Sequence, residues 1–168
     1  MKKLFSLLLV ATLTTTFVSC ESDDNNYYED YDTISSVYDI RNVDFSYNNG
    51  YSIYRQFVNP LYGSDVVLVY KQTGTTSNGN PIWELLPKTY YLNDGNEVDY
   101  TFDFTSNDVT IYTGGTFDLS GSQFIRNQTF RIVVIPANYG KGSNTVDTKN
   151  YDEVIRYYNI NDRVTKTL

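Results

Sequence analysis

Short apolar runs with a period of two, separated by turn residues, constrain the fold of this chain more than any other feature. In residues 98–104, apolar and aromatic side chains alternate with Asp and Thr, and such alternation places successive side chains on opposite faces of a β-strand. Similar runs recur from residue 37 onward, and they end at Gly, Asn or Pro. The pattern therefore predicts an all-β fold.

The number and spacing of these runs predict an antiparallel β-sandwich of about seven to nine strands, with immunoglobulin-like or related topology. A small barrel is the alternative. Residues 65–70 are apolar on both faces, so we expect this strand inside a packed sheet or beneath a helix. Asn48-Asn49-Gly50 is typical of a tight turn, which predicts a hairpin between strands at residues 43–47 and 51–57.

One segment, residues 151–160, has the spacing of an amphipathic helix. Tyr151, Val154, Ile155 and Tyr158 stand at positions i, i+3, i+4 and i+7, and Asn150 can cap the first turn. A helix of this length is not stable alone in water. We therefore expect one short C-terminal helix that docks on a sheet.

Composition excludes several classes of function. The 168 residues include no His and one Cys, with 13 Lys+Arg against 20 Asp+Glu and a net charge of −7. His-dependent Ser and Cys hydrolases and Cys- or His-rich zinc sites are therefore excluded. The basic residues form no run, which argues against a nucleic-acid partner. Asp99 and Asp103 would lie about 13 Å apart along one strand, too far for a glycosidase pair. We expect no enzymatic activity, no cofactor and no metal.

Residues 1–19 are predicted to be an export signal. Lys2 and Lys3 precede an apolar stretch that ends near Val18 and is shorter than the roughly 20 apolar residues of a spanning helix. The only cysteine, Cys20, follows directly, and Phe17-Val18-Ser19-Cys20 resembles the lipobox of bacterial lipoproteins. This resemblance implies that the Cys20 thiol is acylated and anchors the protein in a membrane.

Residues 20–36 are acidic and polar, which is typical of a flexible leash. Within them, Ser22-Asp23-Asp24 resembles the acidic signal that sends lipoproteins of Bacteroidota to the outer face of the outer membrane. The resemblance implies exposure at the cell surface, with a periplasm-facing lipoprotein as the alternative. Asp32-Thr33-Ile34 resembles an O-glycosylation motif of the same bacteria, with Thr33 as acceptor; the alternative is the entry to the first strand.

The arrangement as a whole resembles small lipoproteins of Bacteroidota, of the flavobacterial type. The likeness extends over the signal, Cys20, the leash, a single domain at residues 37–168, and its stretches 67–70, 83–87, 131–137 and 151–155. It implies a membrane-anchored, non-enzymatic envelope lipoprotein with a structural or assembly role at the outer-membrane surface. The alternative is a sandwich module that binds a glycan or a protein.

Exposed aromatic side chains are the candidate ligand contacts for such a module, because aromatic faces stack on sugars and anchor protein interfaces. The chain has 17 tyrosines, and most stand at alternating positions that predict a core location. Five lie near strand ends or loops and are the predicted contacts: Tyr62, Tyr90, Tyr91, Tyr112 and Tyr139.

Overall fold

The computed structural model describes residues 35–136 and 146–168. In these ranges the chain forms nine strands and one α-helix. The strands are β1 (Ser36–Val43), β2 (Ser52–Gln56), β3 (Val66–Thr75), β4 (Pro81–Leu85), β5 (Lys88–Tyr91), β6 (Glu97–Phe104), β7 (Asp108–Gly115), β8 (Gln128–Ile135) and β9 (Lys166–Thr167), and the helix is α1 (Tyr151–Tyr157). The prediction of an all-β sandwich with one short C-terminal helix is confirmed.

The strands form a five-stranded sheet in the order β4-β3-β8-β1-β9 and a four-stranded sheet in the order β2-β7-β6-β5. Neighbouring strands are antiparallel, except that β9 runs parallel to β1. As predicted, β3 lies inside a sheet, between β4 and β8. The alternation of its side chains sends Val67 and Val69 into the core between the sheets, while Tyr70 faces the other side.

The main core lies between the two sheets. Phe130 of β8 is fully buried there, with its ring centroid 5.9 Å from that of Phe45 and 6.1 Å from that of Tyr100 on β6. Offset and edge-to-face aromatic contacts of this kind stabilise a core beyond the area that they bury. The inward side chains of both sheets complete one continuous apolar layer.

Helix α1 covers part of the outer face of the five-stranded sheet and creates a second core. Asn150 caps the helix, because its side chain accepts a hydrogen bond from the Glu153 N–H at 3.2 Å. Tyr151 and Val154 are buried against outward side chains of the sheet, among them Tyr70 and Val133. The predicted amphipathic helix is therefore confirmed, and it ends at Tyr157 rather than at residue 160.

The predicted hairpin around Asn48-Asn49-Gly50 is wrong. Strand β1 ends at Val43 and pairs with β8, whereas β2 pairs with β7 in the other sheet. The chain between them makes a short 3-10 turn and crosses the sandwich, which leaves Phe45 2% exposed and Tyr47 80% exposed. The turn residues do provide the expected left-handed backbone, with φ of 65° at Gly50, but a local turn does not fix which strands pair.

A substitution at Gly50 tests the backbone requirement of this crossing. We expect Gly50→Ala to lower the free energy of unfolding by about 1 kcal/mol, because a Cβ disfavours the left-handed conformation. A Cβ at this position meets no atom within 4 Å, and the same is true at Gly63, where φ is not positive. Urea titration should therefore show no decrease in the free energy of unfolding for Gly63→Ala. Equal losses for the two variants would contradict the backbone explanation.

Candidate functional site

The uncovered part of the outer face of the five-stranded sheet is polar and charged. Asp39 of β1 is directly opposite Arg131 of β8, and Arg131 is directly opposite Tyr70 of β3. Asp39 and Arg131 stand in apolar strands and are themselves buried. A buried charge requires a partner, so this row of the sheet is built around an ion pair.

The ion pair is part of a chain of hydrogen bonds that joins the sheet to helix α1. Arg131 donates from Nε to Asp39 Oδ1 at 2.7 Å and from Nη2 to Asp39 Oδ2 at 3.0 Å. Its Nη1 donates to the Tyr151 hydroxyl at 2.8 Å, and that hydroxyl donates to Asp162 Oδ2 at 2.8 Å. Arg41 also donates to Asp39 Oδ2, at 2.5 Å from Nη2. The carboxylate of Asp39 is thereby bound by two arginines and that of Asp162 by Tyr151.

The environment of these groups fixes their protonation at neutral pH. Burial alone would raise the pKa of Asp39, but hydrogen bonds and positive charge from Arg131 and Arg41 outweigh it and hold that pKa below its ordinary value. Burial raises the pKa of Tyr151 well above its ordinary value, despite the nearby guanidinium of Arg131. Asp39 is therefore ionised and Tyr151 is protonated, which matches the direction of each hydrogen bond.

The lowered pKa of Asp39 predicts an acid-dependent loss of stability. A carboxyl group whose pKa is lower in the folded state contributes stability above its unfolded pKa and loses it as the pH falls toward the folded pKa. For Asp39 the ordinary value is 3.8, so the contribution should be complete at neutral pH and should shrink below pH 3.8. Urea titrations of the wild type and Asp39→Asn should therefore converge below that pH. A stability difference that stays constant down to pH 2.5 would contradict the assignment.

Next to this network lies a pocket of about 710 Å³, which we call the outer-sheet pocket. Its volume lies within the range of small-molecule sites. The lining combines the buried network with solvent-facing polar side chains from the β3–β4 turn, β1, β8 and the C-terminal segment. The solvent-facing side chains of this lining include Arg41, Asn42, Asn80 and Arg163.

Strand irregularities shape the pocket. The register of β1 with β8 shifts between Ile40 and Val43, and Asn42 in this bulge has a φ of 54°. A bulge adds one residue to a strand and re-aims its side chains, and both Arg41 and Asn42 line the pocket as a result. The register of β3 with β4 also shifts, between Gln72 and Gly74. Strands β1 and β3 are thus both irregular where they border the pocket.

Trp83 lines the pocket from β4, which is an edge strand of the five-stranded sheet. The guanidinium carbon of Arg131 lies 4.6 Å from the centroid of the Trp83 ring, and the Tyr151 ring lies 5.9 Å away. These contacts fix the orientation of the indole through cation–π and ring packing. Its Nε1 is buried and has no hydrogen-bond acceptor among the described residues.

The structure does not bring the predicted aromatic contacts together. Tyr62 lies in the β2–β3 loop at a smaller pocket lined also by Tyr38 and Lys166. On β5, Tyr91 is exposed, whereas Tyr90 is half-buried and donates to Glu84 Oε2 at 2.8 Å. Tyr112 on β7 donates to Asp103 Oδ2 at 2.9 Å. These four tyrosines do not line the outer-sheet pocket.

The other predicted site residues lie outside the described ranges. They are Tyr139, Cys20, Ser22, Asp23, Asp24 and Thr33. In the described ranges, no group of three potential ligand side chains is placed to hold a metal ion. The same ranges contain no helix with the length and apolar character that crossing a bilayer requires.

The residues of the outer-sheet pocket were not predicted from the sequence. One local signal does mark two of them, because a charged residue interrupts the apolar strands at Asp39 and at Arg131. A charge inside a strand that is otherwise buried requires a compensating group. The identity of that group depends on the pairing of β1 with β8, since the two residues are 92 positions apart.

Comparison with protein-family models, with curated proteins and with solved structures found no match to this chain.

Proposed function

We propose that this protein is a lipid-anchored, non-enzymatic lipoprotein of the cell envelope, with an accessory or assembly role at the outer-membrane surface. The sandwich domain would perform that role by binding a polar ligand, a glycan or a protein segment, in the outer-sheet pocket. The pocket itself supports this proposal, because its volume of about 710 Å³ lies within the range of small-molecule sites and the charged groups beside it are held by hydrogen bonds.

Binding without catalysis fits the chemistry of the pocket. The carboxylate of Asp39 is bound by two guanidinium groups, and that of Asp162 accepts a hydrogen bond from Tyr151. A general acid or base needs a pKa near the working pH, whereas the pKa of Asp39 is lowered further from neutrality. The carboxylates of Asp39 and Asp162 are therefore better suited to holding the pocket in one arrangement than to transferring a proton.

The anchoring part of the proposal depends on Cys20 and has its own test. Cys20→Ala should abolish incorporation of labelled palmitate and release the protein from the membrane fraction, because the acyl chains supply the membrane affinity. Ser19→Ala is the matched control and should leave labelling intact, since a small residue is kept before the cysteine. Labelling that persists in Cys20→Ala would refute lipidation at this residue.

Surface exposure is tested separately on intact cells. We expect protease to remove the domain from the wild type, and we expect protection when Asp23 and Asp24 are both replaced by Ala. Replacing Asn25 and Asn26 by Ala is a control in the same segment, because it leaves the acidic residues in place. Complete protection of the wild type would instead support a periplasm-facing lipoprotein.

A further inference from the structure

The charged side chains of the outer-sheet pocket balance one another. Three arginines and three aspartates line it: Asp39, Arg41, Arg131, Asp152, Asp162 and Arg163. The guanidinium of Arg131 is already bound to Asp39, and Arg41 shares the same carboxylate. A ligand with a net charge would therefore meet no surplus of the opposite charge, and electrostatic complementarity favours an uncharged ligand.

Several polar groups around the pocket remain available to such a ligand. The side-chain amides of Asn42 and Asn80 and the hydroxyl of Thr75 line the pocket and make no hydrogen bond to the described part of the chain. Each amide offers two donors and an acceptor, and the hydroxyl offers one donor and two acceptors. Sugar hydroxyl groups have the same dual character, so this lining can satisfy them.

The shape of the site indicates a ligand longer than one sugar ring. A second depression of about 500 Å³ adjoins the pocket and shares Asn42, Gln72 and Thr129 with it. Its lining contains one charged side chain, Lys71, whose ammonium group lies 4.9 Å from the centroid of the Tyr100 ring and is thus engaged by the protein. The two depressions meet at these shared residues, and we call them together the groove.

The groove is poorly suited to a protein segment. Protein interfaces draw most of their binding energy from buried aromatic and apolar anchors, and the apolar side chains that line the first depression are Pro81, Trp83 and Tyr151. Arg131 covers one face of the Trp83 indole, and the side chain is still partly exposed. A sugar ring can contact this remaining aromatic surface while the amides bind its hydroxyls.

From these features we infer that the ligand of the outer-sheet pocket is an uncharged oligosaccharide that contacts Trp83 and the amides of Asn42 and Asn80. This inference rests on the proposed function of the same pocket. It specifies the chemical class of the ligand, which the proposed function leaves open between a glycan and a protein segment.

Trp83 provides the test, because it is the only tryptophan of the chain and its fluorescence reports on the pocket directly. The full-length protein, in a detergent without a sugar head group, is titrated with gluco-, manno-, galacto- and xylo-oligosaccharides. A parallel titration with oligogalacturonate tests for an acidic sugar ligand, and one with a pool of unstructured peptides tests for a protein segment. Calorimetry of the same mixtures detects binding that does not involve Trp83.

We expect a neutral oligosaccharide to change the Trp83 emission in a saturable way. Asn80→Ala should weaken this binding about tenfold, which corresponds to about 1.4 kcal/mol for the hydrogen bonds of one amide. Asn107→Ala is the matched control, since Asn107 is also an exposed turn residue whose side chain makes no hydrogen bond within the described ranges.

The remaining outcomes separate the inference from the proposed function. Saturation by oligogalacturonate or by peptides alone, with a change in Trp83 emission, overturns the neutral-sugar inference and leaves the pocket as a binding site. A calorimetric signal from neutral sugars without any response of Trp83, or with equal affinity in Asn80→Ala, places the sugar elsewhere and also overturns it. If neither fluorescence nor calorimetry detects binding of any sugar or peptide, both the inference and the proposed function are overturned.

Discussion

Replacing Arg131 by methionine is expected to lower the free energy of unfolding by about 3 kcal/mol, near the lower end of the range for breaking a buried ion pair. The substitution leaves the Asp39 carboxylate, which is 3% exposed, with Arg41 as its remaining cationic partner. Arg41 is 62% exposed, so solvent screens its charge and it compensates only in part. The hydrogen bond from Arg131 to the Tyr151 hydroxyl, which joins the sheet to helix α1, is lost at the same time.

A matched pair of controls isolates the buried charge. Arg126→Met removes an exposed arginine and should change stability by no more than about 0.5 kcal/mol. The double variant Asp39→Val, Arg131→Met should recover more than half of the loss, since apolar residues can replace a buried ion pair without an orphaned charge. Urea titration at pH 7 measures all three. Equal decreases in the free energy of unfolding for Arg131→Met and Arg126→Met would contradict the explanation. A double variant less stable than Arg131→Met would contradict it too.

Replacing Phe130 by alanine is expected to cost about 3 to 5 kcal/mol, the range for removing a buried aromatic ring from a core. Phe130 is fully buried between the sheets, where its ring contacts those of Phe45 and Tyr100. Removing it leaves a cavity at the contact between β8 and β6, and the two sheets cannot close it without shifting their strands.

Phe104 is the matched control, because the alternation of β6 predicts the same core location for it. In the structure its side chain is 43% exposed at the end of the strand. Phe104→Ala should therefore cost about 1 kcal/mol or less, since much of the ring is never removed from water. Thermal or urea unfolding of both variants checks the comparison. A cost for Phe104→Ala as large as that for Phe130→Ala would contradict the placement of the core.

Phe104 also shows how far periodicity predicts burial. The alternation correctly indicates the inward face of β6 at Val98 and Tyr100, both fully buried. It does not indicate where along the strand the opposite sheet ends, because that depends on the length of strands distant in sequence. The burial of a side chain at a strand end is thus a property of the packed sandwich.

The five tyrosines proposed as ligand contacts illustrate the same limit for function. Their positions near turns suggested exposure, yet Tyr90 hydrogen-bonds to Glu84, and Tyr62 lies at a pocket different from the outer-sheet pocket. Convergence of side chains depends on which strands are neighbours, and one sequence without pairing information does not contain it. The assignments to Cys20, Ser22, Asp23, Asp24 and Thr33 stay predictions from sequence.

The amino-acid sequence by itself determined the features that depend on neighbouring residues. The alternation that makes residues 98–104 a strand follows from the pleat of the backbone, and the docking face and cap of helix α1 follow from helical spacing and from Asn150. Only the tertiary structure decided that β1 pairs with β8 instead of forming a hairpin with β2. That pairing brings Asp39 to Arg131 and creates the outer-sheet pocket, because strand partners are selected by the packing of the whole core.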